Sequence, residues 1–258
     1  MNHRSRFLHF IAAQGFFLLT VIPCTARKAI NIVFIGNSIT YGATLPDPKT
    51  QAPPVKTAKL VEEQTQCTVN FRNCGVSGMT TLDFLPAANK KWNKVIAAAD
   101  ELVQMDGQLL FSIMLGTNDS AEKGPFGSPV HACQYYTNMK TIVDELLQKY
   151  PKAKVIIQYP LWYSPNTYNG SIYLKAGLER LKTYLPMIDA LVAHYSKDRH
   201  TRVFAGNKET FSYFEGQLEL FTDERGNAGT FHLHPNQEGG NRLAQFWTES
   251  IIAVCNRH

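Results

Sequence analysis

Five short strand-like runs, each followed by a helical pattern, most constrain the fold of this chain. The runs are "AINIVFIG" (29–36), "TVNFRNCG" (68–75), "LLFSIMLG" (109–116), "AKVIIQYP" (153–160) and "TRVFAGN" (201–207). The first and third are almost unbroken apolar stretches, which suit strands covered on both faces. Between the runs, apolar residues recur at threes and fours over 54–66, 93–104, 134–150 and 171–197, and again over 239–255. Strands alternating with helices predict a parallel sheet with helices on both sides. Pro186 is expected to kink or split the long fourth pattern.

The 258 residues carry 44% hydrophobic and 18% charged side chains. That is enough apolar material for one sizeable core. No repeat, low-complexity tract or linker divides the chain. The first 26 residues read as a secretory leader: "MNHRSR" is basic, "FLHFIAAQGFFLLTVI" is apolar, and small residues lead to cleavage after Ala26. A single domain is then expected over 27–258. Removing Arg4 and Arg6 with the leader leaves 24 basic against 21 acidic side chains, a net of +3. The basic residues do not cluster, so no nucleic-acid partner is expected. No later stretch is long and apolar enough to span a bilayer, so no stable membrane insertion is expected once the leader is cleaved. Export permits disulfides. Cys67 and Cys74 lie along one extended segment at about 3.3 Å per residue, too far apart to pair. Buried free thiols or one incidental bridge are expected for Cys67, Cys74, Cys133 and Cys255.

In doubly wound sheets, ligands bind beyond the carboxyl ends of the strands. There the first strand leads into "GNSITYG", which presents Ser38 at a sharp turn. The second leads into "NCGVSGMT", whose Gly75 and Gly78 let the backbone turn and expose amide hydrogens. The third leads into "GTNDS", with Asn118 near the same edge. Far downstream, "TFHLHPN" (230–236) places His232 and His234 one residue apart. Each feature alone has a plain structural reading as a cap, a turn or a packed histidine.

As an ordered set, these segments resemble the SGNH hydrolase family, also called GDSL-type esterases and lipases. "IGNSIT" is similar to the nucleophile block, with Asn37 where many members have Asp. "NCGVSG", "GTND" and "HPN" are similar to the glycine, asparagine and histidine blocks. The resemblance implies a flavodoxin-like, three-layer α/β/α fold with a five-stranded parallel sheet. It implies Ser38 as nucleophile and His234 as its base. Ser38 N–H, Gly78 N–H and the Asn118 amide would form the oxyanion hole, with no metal and no cofactor. The expected partner is a small-molecule or glycan ester; oligomeric state is not readable.

One position departs from the family pattern. The acid usually lies three residues before the histidine, and here that residue is Phe231. A displaced carboxylate, Asp223 or Glu224, can replace it; a backbone carbonyl can orient the ring instead; or the scaffold is catalytically lapsed. The other intact blocks favour a working centre. For His232 a partly buried structural role is expected, with support of His234 as the alternative. The resemblance favours a secreted carbohydrate O-acetylesterase, with lysophospholipase, thioesterase or arylesterase activity as alternatives, or glycan binding on a lapsed scaffold. The loop 161–173 offers Trp162, Tyr163, Tyr168 and Tyr173 either as sugar-ring platforms or as packing.

Overall fold

The computed structural model describes residues 29–88, 90–197 and 201–257. The expected leader, 1–26, lies outside the described residues. All five expected strands form: β1 Ala29–Gly36, β2 Thr68–Asn73, β3 Gln108–Met114, β4 Lys154–Ile157 and β5 Val203–Ala205. They pair in parallel in the order β2-β1-β3-β4-β5. The chain therefore winds one way from β1 to β2 and returns past β1 to β3. That reversal opens a crevice at the carboxyl ends of β1 and β3, where a doubly wound sheet takes its ligand.

Helices cover both faces. The two short helices after β1 are α1 Ser38–Tyr41 and α2 Pro48–Gln51, and α3 Pro53–Thr65 carries the chain to β2. Helices α4 Lys90–Leu102, α5 Ala132–Lys149 and α6 Leu174–Tyr195 make the next three crossovers, and α7 Thr210–Phe214 and α8 Gln237–Cys255 follow β5. Side-chain parity along β1 shows which helices share a face. Asn31 is fully buried and donates to the Leu102 carbonyl at the end of α4, at 3.1 Å. Phe34, on the opposite face, stacks on Trp247 of α8 with ring centroids 5.7 Å apart. Helix α3 packs beside α8, and α5 beside α6. Tyr135 and Tyr184 stack across the α5–α6 seam at 4.2 Å. β1 is buried from Ile30 onward, as its nearly unbroken apolar run requires. A fully buried side chain of this kind contributes about 1.5–3 kcal/mol.

Of the two outcomes expected at Pro186, the split does not occur: helix α6 runs on through it. Pro186 is solvent-exposed, so the carbonyl its missing N–H leaves free can turn to water. The sequence pattern also missed a second, two-stranded sheet: β6 Glu224–Gly226 pairs antiparallel with β7 Gly229–Phe231. Its strands are too short and too polar to show a period of two. The four cysteines among the described residues are all free thiols. Cys74 is buried under β2, and burial pushes its thiol up to about 11. Among the described residues, no helix is long and apolar enough to cross a membrane.

Candidate active site

Ser38 opens α1 directly beyond β1. Asn37 caps that helix, its side-chain oxygen accepting from the Ile39 N–H at 3.0 Å. As the first helical residue, Ser38 keeps an N–H that no earlier carbonyl in the turn can take. The glycine block fits close against this turn. Cys74 N–H and Val76 N–H donate to Phe34 and Gly36 carbonyls, at 2.8 and 3.0 Å, continuing beside β1. A β-carbon on Gly75 would lie 2.5 Å from Tyr41 N, so the contact demands glycine. Gly78 has φ +79°, a left-handed conformation suited to glycine, and a β-carbon there would meet nothing within 4 Å. Its backbone is thus bare toward the pocket.

Asn118 follows β3 and is held at both ends. Its amide donates to the Met79 carbonyl at 2.8 Å, and its oxygen accepts from the Tyr173 hydroxyl at 2.7 Å. An amide nitrogen carries two hydrogens, so one remains for the pocket. The neighbouring Asp119 is fully buried and accepts from Thr81 N–H at 2.9 Å and from the Thr81 hydroxyl. Asn138 of α5 donates to that same hydroxyl at 2.9 Å. This network ties the turn after the glycine block to the turn after β3. Burial pushes the Asp119 carboxyl up to about 6, against the opposing pull of the Thr81 bonds.

His234 arrives from the other side, between β7 and α8. Asn236 caps α8 by accepting from Gly239 N–H at 3.0 Å and donates to the Glu219 carbonyl at 2.7 Å. Thr222 N–H donates to the His234 carbonyl at 2.9 Å. These bonds present the ring to Ser38, with Nε2 2.8 Å from the Ser38 oxygen. The other ring nitrogen, Nδ1, lies 2.9 and 3.0 Å from the two carboxylate oxygens of Glu224. A carboxylate can only accept, so Nδ1 carries the proton and Nε2 accepts from the serine hydroxyl. Glu224 also accepts from the His234 backbone N–H at 3.1 Å. Ser38 and His234 are each 8% exposed, which lets a substrate reach them while most solvent is excluded.

The carboxylate that meets His234 thus comes from β6. Glu224 and Phe231 are Cα partners in the β6–β7 ribbon, so their side chains start from the same face. Phe231 is buried, its ring lying under Gly226. Of the two carboxylates named from sequence, Glu224 meets His234, and Asp223 instead meets His232, at 2.8 Å. His232 is clamped by its backbone: its N–H donates to the Ser164 hydroxyl at 2.8 Å, and its carbonyl accepts from Ser164 N–H at 2.9 Å. No cluster of three His, Cys, Asp or Glu side chains suited to a metal occurs among the described residues.

Ser38, Gly78, Asn118 and His234 line one cavity of about 200 Å³. Sequence reasoning missed Ala43, Ser77, Asn169, Ser171 and Leu233, which complete its wall, because ordinary loop residues carry no motif. The aromatic loop is mostly packing. Trp162, Tyr163 and Tyr173 are buried, and Tyr173 acts on Asn118 through its hydroxyl.

No curated protein sequence matches the chain. Many solved structures share its fold. A two-domain esterase, CEX, active on acetylated mannans aligns with TM-score 0.59 and 17% identity over 90% of this chain. The chain spans only 51% of that protein's length. Est24, a carbohydrate acetylesterase from Sinorhizobium meliloti, aligns with TM-score 0.59 and 22% identity, covering 87% of this chain and 99% of that one. A family 3 carbohydrate esterase from Clostridium thermocellum aligns with TM-score 0.58 and 16% identity, covering 88% and 97%. At these identities the likeness establishes the fold. The model of the GDSL-like lipase/acylhydrolase family matches residues 34–242 and so takes in every segment of the cavity wall. With that span matched and the doubly wound sheet in place, the chain belongs to the GDSL-like lipase/acylhydrolase family.

Proposed function

We propose that this chain is an exported serine esterase that removes short acyl groups, acetyl above all, from carbohydrate esters. The observation that carries the reading is the chain of contacts Ser38–His234–Glu224, at 2.8 and 2.9 Å. Ser38 Oγ attacks the ester carbonyl while His234 Nε2 takes its proton. Glu224 holds the ring and stabilises the imidazolium that forms. The tetrahedral oxyanion faces Ser38 N–H, Gly78 N–H and the free Asn118 amide hydrogen, and each such donor contributes roughly 3 kcal/mol. Collapse expels the alcohol, which receives the proton from His234. Water, deprotonated by the same base, then cleaves acyl–Ser38 and releases the acid.

The cavity supports a short acyl group. At about 200 Å³, walled mostly by small and polar side chains, with Leu233 and Tyr173 its large ones outside the motif residues, it offers little surface for a long chain. The structural likeness to carbohydrate esterases agrees with a sugar as the alcohol. The leader pattern over 1–26 supports export, and secreted protein is then expected to begin at Arg27.

A fluorophosphonate probe is expected to label the wild-type chain at Ser38 and to leave Ser38→Ala unlabelled. Nitrophenyl acetate is expected to turn over faster than longer esters. Absence of both labelling and turnover overturns the esterase reading. A clear preference for chains of about eight carbons or more overturns the acetyl assignment and favours lipolysis.

A further inference from the structure

A second cavity, of about 520 Å³, adjoins the nucleophile turn on its far side. Tyr41, the last residue of α1, forms one wall. It lies three residues after Ser38, a rise of about 4.5 Å along the helix. Tyr41 is 48% exposed. Val55 and Phe71 continue the apolar wall, with Phe71 braced edge-on against Phe34 at 6.2 Å. The rim is cationic. Lys49 and Lys94 both line it, and neither ammonium has a carboxylate partner among the described residues. The one acid at the rim, Asp47, is occupied: it accepts from Lys49 N–H at 3.1 Å and from the Thr50 hydroxyl at 2.7 Å.

An apolar wall with an exposed aromatic face suits the C–H face of a sugar ring. Two unpaired ammonium groups at its edge suit a carboxylate on that ring. We propose that this cleft binds an acidic sugar, a uronate. The affinity for a uronate does not rest on the esterase reading above.

Calorimetry with two unesterified probes, trigalacturonate and xylotriose, tests the site directly. Trigalacturonate is expected to bind wild-type protein at least about tenfold more tightly at low salt, and the margin is expected to shrink at about 0.5 M salt. The Lys49→Gln/Lys94→Gln double variant is expected to lose the preference, while Lys49→Arg/Lys94→Arg keeps it. Circular dichroism confirms that both variants fold. Equal affinity for the two probes, or a preference that survives the glutamine variant, overturns the proposal. Binding of benzoate without binding of trigalacturonate also overturns it, in favour of an aromatic acid. Failure of the esterase reading registers elsewhere, as absence of nitrophenyl acetate turnover by the wild-type chain, and leaves the binding measurement intact.

Discussion

Glu224 and Phe231 stand directly opposite each other in the β6–β7 ribbon, and the carboxylate that position 231 lacks reaches His234 from position 224. A cross-strand neighbour thus substitutes for a sequence neighbour. Removing that carboxylate tests the arrangement. Glu224→Gln is expected to lower kcat/KM for nitrophenyl acetate by about 10²–10⁴-fold, because the glutamine amide cannot stabilise the imidazolium. A loss below about tenfold would show that His234 works without it.

Restoring the usual acid at 231 is expected to fail. Phe231 is 1% exposed beneath the ribbon, and losing a buried phenyl costs about 3–5 kcal/mol. Adding an unpaired carboxylate raises the cost further. Phe231→Asp in the Glu224→Gln background is therefore expected to leave activity low and to depress the melting temperature. Thermal unfolding and steady-state kinetics on the double variant measure both.

Asp223 offers the contrasting case. Its side chain is 82% exposed while it holds His232, and pairs so exposed contribute little. Asp223→Asn is expected to change kcat/KM by no more than about threefold. A loss matching that of Glu224→Gln would mean that the two acids had been assigned to the wrong histidines.

The buried Asp119 predicts a pH signature in stability. Its carboxyl titrates near 6 in the fold, raised by burial, against about 3.9 in an unfolded chain. The folded state therefore holds this proton more tightly. As pH rises through the window from about 4 to 6, the unfolded chain ionises Asp119 more readily, and this residue's contribution to stability falls. Asp119→Asn lacks that slope. The wild-type advantage in denaturant midpoint over Asp119→Asn is expected to be larger at pH 5 than at pH 7. A gap that stays constant across that range would contradict the raised carboxyl.

Thiol reactivity should follow burial. Cys133 is exposed, whereas Cys74 is buried with its thiol pushed up to about 11. Ellman's reagent at pH 8 is expected to modify Cys133 promptly and Cys74 only after unfolding, since the thiolate is the reactive form. Peptide mapping after brief labelling identifies the residue.

The strands were legible because a strand buried on both faces must be largely apolar, as β1 is from Ile30 onward with only Asn31 polar. Ser38, Gly78, Asn118 and His234 were legible because each follows a strand or precedes a helix with a fixed local conformation. Glu224 could be named only as one of two carboxylates. Its ribbon is three residues a side, and its position depends on contacts made at a distance, with Ser164 and the buried Phe231. The role of Tyr173 was hidden for a similar reason. A tyrosine in a loop does not declare whether its ring faces solvent or its hydroxyl braces Asn118.

The β6–β7 register bears on how such a centre is recognised: the residue opposite position 231, and not 231 itself, places its carboxylate on the imidazole. Screens that look for an acid three residues before the histidine would discard this chain, though a carboxylate ten residues upstream meets the ring.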